Sequence, residues 1–576
     1  YKIILNVAPR VIKADNSNYG VYQQAILLNP TQPVKNPKDP TGKTYFKTVG
    51  FGATNPVEIL KTDLDGKEIK YLDWDATFRL ILLPLLSGGE GKHSLNTQVT
   101  LAQQINDNFT YYFRPSYNTE LAEAANKKGH ARRQYDKAIQ QSLEWLANYT
   151  FEANGHSARV MGGYSYQKFE NSGLYAENYN FTSDALTYNN LGDGTWYKNI
   201  VTDQAGFNSW KNDSKLIAFF GRASYDYKQR YLFTASLRYE GSSKFGTNHK
   251  WGYFPAVSAG WRISEEPWVK KLTKGVLTNL KVRYSYGVVG NDKGATRFNY
   301  IQKFEQLSAN AQFGKYQTSN WGPLYKEGKL ADPDATWEES IKQNIGIEIG
   351  LWGKLNFTVD LFDEKRNNIL MTRNTIPSWA DSGIAFPQVN LGKTKNHGLE
   401  LDIAWNDRIG KFNYYAKFNF ATSENRIVFI DDPKNQSEYL KQAGKSIGYV
   451  NKYLATGNFQ SLDDIYNSAQ STIANGAHNT LIPGDLYYID YNGDGMIDAK
   501  DMVPMKNLNY PTTTLGFTLG GSYKGIGFNM LWYSAMDVYK EAIPSYLWDF
   551  PEGNIKAQPN TCLLYTSPSP RDTERS

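Results

Sequence analysis

Apolar and polar residues alternate with period two over much of this chain, and that pattern constrains its fold more than any other feature. In Tyr231 to Tyr239 one face carries Tyr231, Phe233, Ala235, Leu237 and Tyr239, and the other Leu232, Thr234, Ser236 and Arg238. Leu280, Val282, Tyr284 and Tyr286 alternate with Lys281, Arg283 and Ser285, and Ile345, Ile347, Ile349 and Leu351 with Gly346, Glu348 and Gly350. Leu399, Leu401, Ile403 and Trp405 alternate with Glu400, Asp402 and Ala404, and the set Phe412, Tyr414, Ala416, Phe418 and Phe420 follows the same rule. Successive side chains of a strand point to opposite faces, so each segment reads as a two-faced strand. Similar segments occur at 143–151, 157–164, 355–361, 515–523 and 526–532. Only Thr119 to Gln141, rich in Ala, Glu, Lys and Gln, reads as a substantial helix.

Connection lengths choose among β architectures. Some strands are joined by short turns, as at Asp226–Arg230, Trp352–Lys354, Asp407–Lys411 and Lys524-Gly525, and others by long polar stretches near 166–213, 288–340, 365–397 and 424–512. A sandwich rarely tolerates so many long connections. An outer-membrane barrel has this asymmetry, with short periplasmic turns, long external loops and strands of about nine to eleven residues flanked by aromatic girdles. The 41 Tyr, 28 Phe and 14 Trp supply such girdles. Mean hydropathy is −0.56, and the longest apolar run, Leu80 to Leu86, contains Pro84. A membrane-crossing helix needs about 20 apolar residues, so that class is excluded. With 63 basic against 57 acidic residues, well mixed, nucleic acid is not an expected partner. The reading is an all-β, antiparallel transmembrane barrel in contact with outer-membrane lipid.

Particular residues then match a family. Gly221-Arg222, Leu237 through Gly246 (LRYEGSSKFG), Trp251-Gly252-Tyr253-Phe254-Pro255 and Trp261-Arg262-Ile263 resemble the SusC/RagA-like TonB-dependent transporters of Gram-negative outer membranes. Ser285-Tyr286-Gly287, Gly290-Asn291, Thr336-Trp337-Glu338, Asn390-Leu391-Gly392 and Asn396-His397-Gly398-Leu399-Glu400 follow in the family's order, as do Pro483-Gly484-Asp485 and Asp490 to Gly495. The resemblance implies a barrel of about 22 strands with a plugged lumen. It also implies import of oligosaccharides or peptides, a SusD-like surface lipoprotein as partner, and energy delivered by the TonB complex. The expectation is that residues 1–560 form a partial barrel of about sixteen to eighteen strands, without the N-terminal plug and the last strands. A secreted, calcium-ordered β-rich adhesin or glycan-binding protein is the alternative.

The strongest local motif lies inside the external stretch 424–512. Asp490, Asn492, Asp494, Asp498 and Asp501 stand at positions 1, 3, 5, 9 and 12 of a calcium loop, with Gly495 at position 6 and the Met496 carbonyl at position 7. A hard cation takes six to eight oxygens, so loop 490–501 is expected to bind a structural Ca²⁺ and staple the outer surface. No catalytic constellation emerges, and the chain reads as a transporter subunit and not an enzyme. The six histidines are dispersed, Gly444-Lys445-Ser446 lacks the earlier glycine of a phosphate loop, and Glu265-Glu266 and Glu338-Glu339 read as loop charges. Trp196, Trp210 and Trp321 read as loop aromatics able to stack on sugars or to anchor their loops. The single cysteine, Cys562, falls in 561–576, whose CLLYTSPSPRD run reads as an adaptor-derived, non-native tail to be set aside from the fold.

Overall fold

In a computed structural model, the described residues are 1–15, 21, 33–42, 45–46, 55–82, 92–115, 129–181, 183–194, 206–313, 319–376, 386–473, 478–506, 508 and 510–539. They build one antiparallel sheet of 15 strands. Its members are β1 (Lys2–Asp15), β2 (Leu64–Leu82), β3 (Lys92–Arg114), β4 (His130–Ala153), β5 (His156–Tyr179), β6 (Phe207–Tyr227), β7 (Tyr231–Ser242), β8 (Trp251–Arg262) and β9 (Leu277–Asn291). After a loop hairpin, β10 (Phe304–Phe313) with β11 (Ser319–Glu327), the sheet resumes with β12 (Glu338–Leu351), β13 (Leu355–Met371), β14 (Val389–Ile409) and β15 (Phe412–Phe429). Six short strands then form two-stranded ladders: β16 (Tyr449–Tyr453) with β21 (Met502–Lys506), β17 (Ala455–Asn458) with β19 (Leu486–Tyr488), and β18 (Gln470–Ser471) with β20 (Met496–Ile497). The sheet ends with β22 (Thr513–Tyr523) and β23 (Ile526–Met536).

Sheet strands follow chain order, each pairing with its predecessor, the up-and-down meander of a membrane barrel. Among the described residues the sheet has 15 strands, and the late external stretch forms local ladders that do not join it. Most sheet strands are also longer than expected, although β22 and β23 keep 11 residues each. β4 and β5 have 24 residues each, about 80 Å of extended chain, whereas the apolar band of an outer membrane is about 25 Å tall. They therefore rise far beyond the bilayer, and the long connections shrink to 180–206, 292–337, 372–388 and 430–512.

The helical expectation for Thr119 to Gln141 fails over His130 to Gln141, which lie in β4 and are paired with β3 on one side and β5 on the other. Two full backbone ladders outweigh a few tenths of a kcal/mol of helix propensity per residue. Residues 116–128 lie outside the described set, as do Trp196 and the tail 561–576. Trp210, expected in a loop, is in β6, and Trp321 is in β11.

The opposite end has the short connections. At the β22–β23 corner, Lys524 and Gly525 take φ of 48° and 91°, two successive left-handed residues whose twist suits a tight hairpin. The β8–β9 connection instead carries a short helix, Pro267–Thr273. There Glu266 accepts hydrogen bonds from the Tyr231 hydroxyl (2.7 Å) and Trp261 Nε1 (3.2 Å), with Arg230 3.6 Å away. The Tyr231 hydrogen bond, foremost, holds its carboxyl below the ordinary range. Glu266 is thus a corner fastening and not a free loop charge.

Candidate functional site: two faces, a mouth and an external loop

Register carries each strand's alternation into its neighbours. Val282 pairs with Ile347, Ile347 with Val359, Val359 with Leu401, Leu401 with Phe420, and Phe420 with Leu515. Trp145, Tyr164, Phe219 and Tyr239 continue the same face through β4 to β7. This outer face is apolar and open: Phe233 is 50% exposed and Leu237 49%. Rings border it at two levels. Tyr239 stacks on Trp251 at 4.6 Å near the long-loop end, and Tyr231 on Trp261 at 6.4 Å near the short-turn end. The strand between Trp251 and Trp261 is about 33 Å long, or about 25 Å of height at a 40° tilt, the span of an outer-membrane apolar band.

The opposite face is polar. Lys281 and Arg283 of β9 meet Glu348 of β12 at 3.0 and 3.2 Å, and Arg283 reaches on to Asp360 of β13 at 2.7 Å. It also donates to Asn344 at 3.2 Å. Gly346, which pairs with both Arg283 and Asp360, makes this reach possible. A Cβ there would sit 2.6 Å from the guanidinium carbon and 2.7 Å from Asp360 Oδ1. Other side chains also lie flat over a glycine on the next strand. Phe220 covers Gly163, Phe362 covers Gly398, and Trp210 covers Gly173 while donating Nε1 to Asn171 Oδ1 at 3.0 Å. As expected from the alternation, Arg238, Arg283, Glu348 and Asp402 share this inner face.

The dispersed sequence motifs converge at the long-loop end of the inner face. Ser242 Oγ and Lys244 Nζ donate to Asp292 Oδ2 and its backbone carbonyl at 2.8 and 2.9 Å. Asn291 Nδ2 donates to Glu338 Oε2 at 2.8 Å, and Glu338 Oε1 accepts from the Leu370 amide at 3.3 Å. Asn390 Oδ1 accepts from the Thr336 amide at 2.9 Å, while its Nδ2 donates to the Thr336 and Asn368 carbonyls. Trp337 packs 5.3 Å from both Phe245 and Phe254 and donates Nε1 to the Lys250 carbonyl at 3.0 Å. Glu338, expected as a loop charge, is buried at the start of β12. These motif residues knot the mouth together, and none of them forms a catalytic pair. Asp292 and Asn390 hold the knot without having been singled out for that role. The positions beside Gly290-Asn291 and Thr336-Trp337 were visible in sequence, but only the fold brings them together.

Within 430–512, the candidate cation loop is closed by its own backbone. Asp490 accepts from the amides of Gly493 and Gly495, both at 2.7 Å, Asn492 Oδ1 from Asp494 at 2.8 Å, and Asp494 Oδ1 from Met496 at 3.0 Å. Asp501 is fully buried and accepts from Tyr491, Asn492 and Asp498 at 2.9, 3.3 and 2.8 Å. Asp498 accepts from the Lys500 amide at 2.7 Å, and Lys500 Nζ lies 3.4 Å from Asp498 and 3.6 Å from Asp494. The Met496 amide hydrogen bond, then Asn492 and Lys500, hold the Asp494 carboxyl below its ordinary value. The charges crowded here are therefore offset by amides and one ammonium. Among the described residues no three His, Cys, Asp or Glu converge on a common metal position.

A family model described as "TonB dependent receptor-like, beta-barrel" matches residues 12–537. TonB-dependent receptor P39 of Formosa agariphila is 29% identical over 460 residues, covering 73% of this chain and 42% of that protein. TonB-dependent receptor SusC of Bacteroides thetaiotaomicron is 26% identical over 334 residues, covering 56% of this chain and 31% of that protein. Among solved structures, the RagAB peptide importer in its closed-closed state superposes with a TM-score of 0.68 at 17% identity, over 92% of this chain and 55% of that one. The chain thus spans about half or less of the length of these curated relatives. With its meander, its two-faced register and its aromatic borders, the chain belongs to the TonB-dependent receptor-like β-barrel family of the Gram-negative outer membrane.

Proposed function

We propose that this chain is the barrel portion of an energy-coupled importer that takes oligosaccharides or peptides across the outer membrane. A SusD-like lipoprotein would cap the external mouth, and a TonB complex would supply the energy. The observation that carries this reading is the sheet with one apolar face and one charged face, whose strands pair antiparallel in chain order from β1 to β23 with the loop ladders left out. A lipid-facing belt backing a polar lumen is what a membrane conduit requires. The TonB-dependent receptor SusC among the relatives supports the energy coupling, and the RagAB peptide importer among the solved structures supports import. The adhesin alternative is disfavoured by the belt, which would expose a continuous apolar surface to water. Uptake tests the proposal. Cells carrying the full-length gene should accumulate labelled oligosaccharide or peptide, and should stop when the proton-motive force is collapsed or TonB is deleted. Uptake of neither ligand class, or uptake indifferent to TonB, would overturn it.

In the same reading, loop 490–501 binds a structural Ca²⁺ through Asp490, Asn492, Asp494, the Met496 carbonyl, Asp498 and Asp501. The spacing and the left-handed Gly493 and Gly495 (φ 74° and 82°) support it. The donors fit in kind and order, but binding requires Lys500 to leave Asp494 and Asp498, and Asp501 to give up amide bonds. Such a site would be weak, of order 10⁻⁴–10⁻³ M, and still filled outside the cell. Calorimetry on the full-length protein should show calcium binding in the millimolar range that Asp490→Ala with Asp494→Ala abolishes. No heat at millimolar calcium would remove the ion from the account.

A further inference from the structure

We infer that the outer face of β12 to β15, at its long-loop border, binds the phosphorylated headgroup of a lipopolysaccharide from the outer leaflet. The inference rests on the membrane placement of the barrel and not on what the barrel carries. Lys365 of β13 pairs with Lys395 of β14, and Lys395 with Arg426 of β15, so three cations stand side by side on consecutive strands. Each lies an even number of residues from Val359, Leu401 or Phe420 and so shares their lipid-facing side. Their height is set by the rings. Lys395 is ten residues along β14 from Trp405, which meets Trp352 at 6.4 Å near the short turns. Trp251 is likewise ten residues from Trp261 on β8, the separation that spans the apolar band. The row of cations therefore takes the level that the Tyr239–Trp251 stack holds on β7 and β8.

Like charges directly opposite each other destabilise a sheet. Asp363 lies 3.0 Å from Lys395 and Glu424 2.8 Å from Arg426, but Lys365, and Lys393 one step above Lys395, form no ion pair among the described residues. In the upper half of this face Lys365, Lys393, Lys395 and Arg426 outnumber the carboxylates Glu339, Asp363 and Glu424. His397 stands between Asp363 and Glu424, and Lys506 of β21 adds a further cation near Glu424. Just below the row, a recess of about 520 Å³ is floored by Ile345, Leu361 and Leu399 and roofed by Asp363, His397 and Glu424. Its floor is open to lipid, with Ile345 48% and Leu361 52% exposed. Phosphate above and acyl chains below would match this surface, because charged donors bind phosphate oxygens strongly. The long-loop end faces outward, which selects the leaflet built of lipopolysaccharide. From Lys365 to Arg426 the row is two strand spacings, about 10 Å across. The two phosphates of a lipid A disaccharide can engage both ends of it, whereas a phospholipid brings one phosphate.

The test uses full-length protein in detergent, with bisphosphorylated lipid A, monophosphorylated lipid A and phosphatidylglycerol as probes and native mass spectrometry to measure retained lipid. Bisphosphorylated lipid A should be held at least tenfold more tightly than phosphatidylglycerol, with the monophosphorylated form between them. Lys365→Gln with Lys395→Gln and Arg426→Gln should lower lipid A retention at least fivefold. Lys365→Arg with Lys395→Arg should keep it, and Lys411→Gln at the short-turn border should leave it unchanged. The ranking of the three lipids on the unaltered protein decides the matter even where the triple variant does not fold. Equal retention of the three, preference for phosphatidylglycerol, or lipid A retention indifferent to the triple substitution overturns the site.

Discussion

At Gly346 an added Cβ would overlap both Arg283 and Asp360, whereas at Gly516, another inner-face glycine, the nearest atom would be 3.8 Å away. Overpacking against a fixed ion pair costs about 1–3 kcal/mol, so Gly346→Ala should destabilise the refolded protein by that amount while Gly516→Ala stays near neutral. Urea titration in lipid bilayers, comparing the two variants, checks this. Asp501 is a second residue-scale case. Its carboxylate satisfies three backbone amides in a site closed to water, so Asp501→Ala leaves those donors unmet and should loosen 490–501 by about 3 kcal/mol or more. Hydrogen exchange at Tyr491 and Asn492 should accelerate while exchange in β22 does not change. Neither role was visible in sequence. The spacing that marks Asp501 as a cation ligand is equally the spacing of a carboxylate that closes a loop on its own amides.

Between elements, Asp431 joins the connection after β15 to the one after β13. It accepts from the amides of Asn374 and Thr375 at 2.8 and 2.9 Å and from the Thr375 hydroxyl. Burial pushes its pKa up, but the hydrogen bonds from Thr375 and Asn374 outweigh that and hold it below the ordinary 3.8. A depressed carboxylate contributes stability above its unfolded value and loses it as pH falls through the folded one. Protection of 372–376 from protease should therefore hold at pH 5 and above and fade only below about pH 4, and Asp431→Asn should be unprotected throughout. Strand existence and facing were legible from alternation, because period two survives any change of partner. Strand ends were not. The polar residues beyond the membrane belt in β4 and β5 alternate too weakly to distinguish a ladder standing in water from a loop, and His130 to Gln141 carried helix formers into a strand.

Across the whole molecule, the two faces make one joint prediction. Leu237→Arg, placed on the belt, should cost about 2–4 kcal/mol of stability in a bilayer, while Asp402→Ala on the inner face should stay within about 1 kcal/mol. Thiol labelling from the lipid phase should modify Leu237→Cys and spare Arg238→Cys, and the reverse would refute the facing of the entire sheet. The unbroken register from β1 through β7 has a further consequence, for how such a chain can change over time. Facing is a matter of parity. Deleting a single codon early in β4 would turn every later residue of that strand to the other side, setting Glu144 on the outer face and Trp145 on the inner one. Insertions and deletions within strands can therefore survive only in pairs, or where a bulge absorbs the odd residue. Lineages descended from this barrel should keep strand lengths that differ by even numbers, and confine their odd-numbered differences to the long connections at one rim.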